Sequence, residues 1–157
     1  MLKTDQLART TSEEIRQQLR DHLGRNNVTI SELFANGVAD GQDTAMPFEV
    51  CAHCGERLMG GLAGSVRRRW LDVDVLWVSE EVRGRGLGGM LLERAEWEAV
   101  QLGARHAKLS TFDFQAPEFY KARGYAVYGV LEDYPEGCTL FFLRKDLLVD
   151  STSRSSA

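Results

Sequence analysis

Arg83-Gly84-Arg85-Gly86-Leu87-Gly88-Gly89 joins an apolar β-run, Val73 to Val78, to an amphipathic helical run that starts near Leu87. Four glycines within six positions let the backbone turn tightly and approach a ligand without Cβ atoms in the way. The turn feeds a helix N-terminus, whose unpaired N–H groups and positive dipole end favour an anion. Arg83 and Arg85 add fixed positive charge and fork-shaped donors suited to phosphate oxygens. The stretch therefore reads as a cradle for a phosphate-bearing ligand.

Outward from this turn the pattern is mixed. Trp70 to Val78 is the longest strand reading, with Leu71, Val73, Val75 and Trp77 on one face and Asp72, Asp74, Leu76 and Val78 on the other. Before it, Phe48–Ala52 and Leu58–Val66 read as paired strands around Cys54-Gly55-Glu56, the second bent or bulged by Gly60, Gly61 and Gly64. A helix is expected from Thr11 or Ser12 through Ile15, Leu19 and Leu23 to a stop at Gly24, with a second short one around Ile30, Leu33 and Phe34. Residues 5 to 9 carry a weak signal for an opening strand. After the turn, a helix holding Leu87, Met90, Leu91, Ala95, Val100 and Leu102 ends at Gly103. His106–Thr111 then reads as a strand, Pro117–Ala122 as a short helix, and Tyr125–Leu131 with Thr139–Arg144 as a closing antiparallel pair. This order argues an α/β fold on a mixed sheet.

The 157 residues suit one domain, expected over 1–148, with the Ser-rich stretch 149–157 as a disordered tail. Hydrophobic residues at 43% and charged residues at 27% fit an ordinary globular protein, and the net charge of −4 gives no global case for nucleic acid. An N-terminal apolar signal region and a long apolar run are both missing, so no membrane span and a cytoplasmic location are expected. Cys51-Ala-His-Cys54 has metal-knuckle spacing, but no second Cys/His pair follows at zinc-site distance, and no metal site is assigned.

Gly84-x-Gly86-x-x-Gly89 also matches a dinucleotide fingerprint between strand and helix. That reading lacks the acidic residue expected about twenty positions on, where 102–109 runs Leu-Gly-Ala-Arg-His-Ala-Lys-Leu. No Gly-Lys-Ser/Thr closes the turn, which removes a nucleoside triphosphate loop. Instead, Arg83-x-x-Gly86-x-Gly88 resembles the Arg/Gln-x-x-Gly-x-Gly/Ala signature of the GNAT superfamily, the GCN5-related N-acetyltransferases. Leu76-Trp77-Val78-Ser79-Glu80-Glu81-Val82 is similar to that family's central strand and lead-in, and Ala116-x-x-Phe119-Tyr120-x-x-x-Gly124-Tyr125 to its later segment. The resemblance is strong from Trp70 to Asp146 and loose before it.

The resemblance implies a GNAT fold: a mixed central sheet of about six to seven strands, helices on both faces, and a splayed pair of central parallel strands. It implies acetyl-CoA as cosubstrate, with its pyrophosphate on the backbone N–H groups of Arg83, Gly84, Arg85, Gly86, Leu87, Gly88 and Gly89. The pantetheine arm would pair with Leu76, Trp77 and Val78, opposite a splayed partner at His106–Thr111. Tyr120 falls on the family tyrosine that gives a proton to the CoA sulfur, and a homodimer is the family-level expectation.

Acetyl transfer needs a neutral amine, a polarised thioester carbonyl and a stabilised leaving thiolate. A central-strand N–H near Trp77 or Val78 is the simplest oxyanion donor. Asp72 and Asp74 are the candidate bases, and they either face a wet substrate cavity or are paired by arginines such as Arg67 to Arg69. Phe112, Phe114 and Gln115 are candidates for the acceptor wall, with Tyr134 beside them. With no residue placed as a covalent acetyl carrier, direct transfer to the primary amine of a small molecule is expected. The alternatives are a protein or peptide acceptor, and a GNAT-fold acyl-CoA-binding or sensor module without turnover.

Overall fold

A computed structural model describes residues 12–147, so the weak strand reading at 5–9 and the tail expected at 149–157 lie outside the described residues. Where length suggests one domain over 1–148, the contacts divide into two compact units, one ending at Gly41 and the other starting at Gln42.

The first unit is a helical pair, α1 (Glu13–Ile30) and α2 (Glu32–Ala39). Ser12 caps α1 by accepting from the Ile15 N–H, and Glu13 and Glu14 complement the positive end of the helix. The helix runs through Gly24 rather than stopping there. A mid-helix glycine costs only about 1 kcal/mol, and the effective stop comes at Ser31. That residue is extended (φ −134°), ends α1 through its N–H to Asn27 O, and caps α2 by accepting from the Phe34 N–H.

In the second unit, β1 (Met46–Cys54), β2 (Arg57–Arg67), β3 (Trp70–Val78), β4 (His106–Phe112), β5 (Ala126–Leu131) and β6 (Leu140–Asp146) form one six-stranded sheet. Their order is β1-β2-β3-β4-β6-β5, with β3 and β4 parallel and every other neighbour antiparallel. Between β3 and β4 runs α3 (Leu87–Gln101), which packs on β1, β2 and β3; α4 (Pro117–Lys121) follows β4. Leu62, Val66, Leu71, Leu92 and Leu143 are fully buried between sheet and helix. Met90, grouped with the apolar stripe by spacing, points outward, and Leu92 takes the core position.

The central strand departs from simple alternation. Ala63 pairs with Val75 and Gly64 with Val73, so Asp74 is an extra residue with no partner on β2. This bulge shifts the inward face from Leu71 and Val73 to Leu76, while Val75 and Trp77 become exposed. A Cβ on Gly64 would lie 2.5 Å from Asp72 O, so the bulge requires glycine on the facing strand.

One partly buried ionic group ties helix to sheet. Glu96 on α3 accepts from the Tyr125 hydroxyl at 2.9 Å and from Lys145 Nζ on β6 at 2.6 Å. Burial and the Glu96 charge hold the Tyr125 hydroxyl well above the usual tyrosine range. Only 12% of the Glu96 side chain and 24% of the Lys145 side chain remain exposed, so removing the carboxylate strands a poorly solvated ammonium. Glu96→Ala is expected to destabilise the protein by about 2–4 kcal/mol, somewhat less than for a fully sealed pair. Urea unfolding measures this, and an unchanged midpoint would exclude the group as a strut.

Candidate active site

Pairing between β3 and β4 stops at Val73–Leu109, although β3 continues to Val78 and β4 to Phe112. Beyond that point the β4-facing backbone of β3 has no strand partner, and a cleft opens. Two cavities occupy it. The smaller, about 310 Å³, lies between the diverging strands and is bordered by Asp74, Val75, Leu109, Ser110 and Thr111. The larger, about 710 Å³, runs from Trp77 and Val78 over the glycine turn to Phe119 and Arg123. Leu76, Gln115, Ala116 and Tyr120 border both.

The glycine turn follows a short 3₁₀ segment, Glu80–Val82, and delivers the chain into α3. Gly86 is the N-cap at φ 84°, in the left-handed region that L-residues disfavour. It has no side chain to accept from the helix, and no acidic residue stands in the first turn. The first ladder bond is Met90 N–H to Gly86 O, so the N–H groups of Leu87, Gly88 and Gly89 point beyond the helix end without intrahelical partners. Both α1 and α2, by contrast, carry a serine cap and a first-turn glutamate. The start of α3 has the chemistry of an anion site left open.

Arg83 serves the turn itself. Its Nε donates to Val78 O at 3.1 Å, and its Nη1 lies 3.6 Å from Glu80 Oε1. Arg85 has no ion pair among the described residues. Of the expected Arg83–Gly89 stretch, all but Arg85 border the larger cavity, and Arg83 fastens the loop to the end of β3.

Tyr120 is buried on α4, stacked edge-on between Phe119 (4.9 Å) and Tyr125 (5.9 Å). Its hydroxyl makes no hydrogen bond among the described residues, yet no buried side-chain oxygen there is unsatisfied, so the hydroxyl opens onto the cavities it borders. Burial pushes its pKa up, which keeps the phenol protonated at neutral pH. Gln115 is fixed by its acceptor oxygen: the Phe112 N–H donates to Oε1 at 2.9 Å and Thr111 Oγ1 at 3.1 Å. A backbone N–H can only donate, so the carboxamide oxygen must face it, and the NH₂ is directed away. Phe114 borders the larger cavity and stacks on Phe112 at 5.1 Å, while Phe112 itself borders neither cavity.

The two aspartates part company. Asp72 lies in the paired region, facing its β4 neighbour Lys108, and forms an ion pair with Lys108 Nζ. Asp74, the bulged residue, borders the smaller cavity. Within the arginine run, Arg67 and Arg68 both bond Asp43, at 2.9 and 2.6 Å. The Arg67 hydrogen bond is the main reason that the Asp43 carboxyl lies below its ordinary range. Arg68 and Arg69 sit at φ 51° and 65° and make the β2–β3 turn.

The sequence signal gave no reason to single out Arg123. Its guanidinium lies 3.8 Å over the Phe119 ring and borders the larger cavity. It lies two residues past the end of α4, and its place beside the start of α3 shows only once the chain is folded. Cys51 and Cys54 are free and exposed on β1, and no group of three or more metal-ligating side chains occurs among the described residues. No helix among them is long and apolar enough to cross a membrane.

Comparison with known proteins agrees with this geometry. The profile of the acetyltransferase (GNAT) domain matches residues 48–127, which include the splayed strands, the glycine turn and Tyr120. The chain belongs to the GNAT family of acetyltransferases. It is 47% identical over 108 residues to blasticidin-S acetyltransferase of Streptomyces morookaense, a match spanning 66% of this chain and 79% of that protein. The crystal structure of an acetyltransferase from Bacillus cereus ATCC 14579 superposes with TM-score 0.78 at 30% identity, covering 92% of this chain and 100% of that one. Nourseothricin acetyltransferase aligns with TM-score 0.56 at 25% identity, over 66% of each chain. The chain is therefore an enzyme, and the GNAT family to which it belongs uses acetyl-CoA.

The conformation of Gly86 makes this GNAT turn sensitive to a single methyl group. Gly86→Ala is expected to cost about 1–2 kcal/mol by forcing an L-residue to positive φ. A lowered thermal midpoint together with reduced acetyl transfer is the expected outcome; an unshifted midpoint would mean that the turn relaxes freely.

Proposed function

We propose that this protein transfers the acetyl group of acetyl-CoA directly to a primary amine of a small-molecule antibiotic, with Tyr120 as the proton donor to the departing sulfur. One observation carries the reading: the two cavities meet at Tyr120, Gln115 and Ala116. A long cosubstrate lying in the larger cavity brings its reactive end to the tyrosine, and the smaller cavity holds the acetyl group where an amine can reach it.

The residues suit acetyl-CoA. The open N–H groups of Leu87, Gly88 and Gly89 bind the pyrophosphate, with Arg85 beside them. The β4-facing edge of Leu76–Val78, which has no strand partner, receives the pantetheine amides as a strand would. A β3 N–H in this stretch, at Trp77 or Val78, holds the developing oxyanion.

Asp74 is placed to attract the cationic amine and take up its proton, directly or through one water. The amine nitrogen then attacks the thioester carbonyl carbon, the C–S bond breaks, and the Tyr120 hydroxyl gives its proton to the thiolate. The proton lost by the amine returns to Tyr120 through solvent, leaving amide and free thiol. Asp72, neutralised by Lys108 below the splay, fixes the strand pair instead. Phe114, 67% exposed at the cavity edge, offers a flat apolar surface to a ring of the acceptor.

The antibiotic class follows from the relatives. Blasticidin-S acetyltransferase shares 47% of aligned residues, and nourseothricin acetyltransferase shares the fold at 25% identity. The test is CoA release by the purified protein with blasticidin S, other amine antibiotics, polyamines and peptides as acceptors. Turnover with a peptide but with no antibiotic would sink the acceptor assignment.

Two variants test the chemistry. Tyr120→Phe is expected to lower kcat by about 10²–10³-fold, within the range for a lost general acid, with acetyl-CoA affinity unchanged. Because burial raises the Tyr120 pKa, the required acid form is present below the ordinary tyrosine range and is lost only above it. An alkaline limb in kcat below about pH 10 that vanishes in Tyr120→Phe would contradict this. Asp74→Asn is expected to raise KM for a cationic amine and lower kcat/KM, whereas Asp72→Asn lowers stability and leaves that KM unchanged.

A further inference from the structure

We infer that Arg123 is a cation of the cosubstrate site that contacts the pyrophosphate and makes the enzyme select phosphate-bearing acetyl donors. The inference rests on the acetyl-CoA reading of the larger cavity and adds a residue that lies outside the glycine turn.

Four features of Arg123 lead to it. The side chain is half-buried and borders the larger cavity. One face of its guanidinium is covered by the Phe119 ring at 3.8 Å, which fixes the plane of the fork. Nη1 donates to Phe119 O at 3.0 Å, closing the last turn of α4, and no carboxylate pairs with the charge among the described residues. Finally, the group lies against the first turn of α3. A Cβ built on Gly89 would stand 2.6 Å from Nη2 and 3.0 Å from Nε, so this approach is possible only because position 89 is glycine.

The electrostatics make the arrangement informative. A helix N-terminus carries partial positive charge, and a guanidinium held against it is repelled unless an anion lies between or beside them. Several basic side chains of this unit near secondary-structure ends have acidic partners: Arg67 and Arg68 with Asp43, Arg57 with Glu81, Lys145 with Glu96. Closing α4 through Phe119 O engages one N–H and does not require that the fork lie on α3. A diphosphate at the open N–H groups of Leu87–Gly89 resolves the repulsion and gives the remaining N–H groups acceptors.

The experiment compares CoA forms that differ in their 3′-phosphate and acetyl donors with and without the whole phosphate-bearing nucleotide. Binding of CoA and 3′-dephospho-CoA is measured by calorimetry, and kcat/KM is measured with acetyl-CoA and with S-acetylpantetheine, which has no phosphate. Arg123→Gln is expected to weaken CoA and 3′-dephospho-CoA alike, by about 10- to 100-fold, the range for a charge-assisted hydrogen bond. Its kcat/KM with S-acetylpantetheine stays within about twofold of the parent, and Arg123→Lys recovers part of the lost CoA affinity. Equal losses with acetyl-CoA and S-acetylpantetheine would make Arg123 a structural residue of α4 and overturn the inference. Loss confined to CoA, with 3′-dephospho-CoA unaffected, would move the contact to the 3′-phosphate and overturn it as well. Failure of the parent protein to bind CoA would instead overturn the acetyl-CoA reading on which the inference stands.

Discussion

The end of pairing between β3 and β4 at Val73–Leu109 is the constraint on which the rest of the site depends. Two parallel strands in mid-sheet normally satisfy each other along their whole length, and leaving their backbone groups unpaired is unfavourable unless something else bonds them. Here the bulge at Asp74 turns β3 away, and Gly64 on β2 makes room for it, since any Cβ there would strike Asp72 O. The same bulge resets which residues of β3 face α3. The cleft, the unpaired edge and the position of Asp74 at its mouth are consequences of one extra residue.

Charge is distributed around that opening in two ways. Below the splay and at the rear of α3, charged groups are matched within the chain: Lys108 with Asp72, Lys145 with Glu96. These pairs hold β4 to β3 and β6 to α3, so the strands diverge from a fixed base. At the start of α3 the matching stops. Arg85 and Arg123 have no acidic partners among the described residues, and the helix begins on a glycine without a capping side chain. Positive potential left uncompensated at a helix start suits that end to receive an anion.

The two halves of the site differ in how firmly they are built. The larger cavity is lined by the glycine turn, the end of β3 and a buried tyrosine, all fixed by secondary structure. Asp74, beside the smaller cavity, and Phe114, at the edge of the larger, are more exposed. This division suits an enzyme family in which one donor is shared and the acceptors differ, because exposed side chains can change without disturbing the strands.

Much of this was legible in the chain itself. The glycine spacing after an apolar strand, the Phe119-Tyr120 segment and the alternation of apolar runs are local features, so they fixed the family, the strand Trp70–Val78 and the start of α3 at Leu87 without reference to packing. What depended on residues distant in sequence was not legible. The bulge at Asp74 is decided by Gly64 across the hairpin, and it broke the simple alternation expected along β3. Asp72 and Asp74 look equivalent in sequence, but register sets the first against Lys108 and leaves the second at the cavity. Arg123 reads as a surface residue until α4 is laid against α3, where the missing side chain of Gly89 admits it. Sequence periodicity reports the conformation of each segment, whereas partners across the sheet are set by tertiary packing, and the partners decide which charged group is structural and which is free to act.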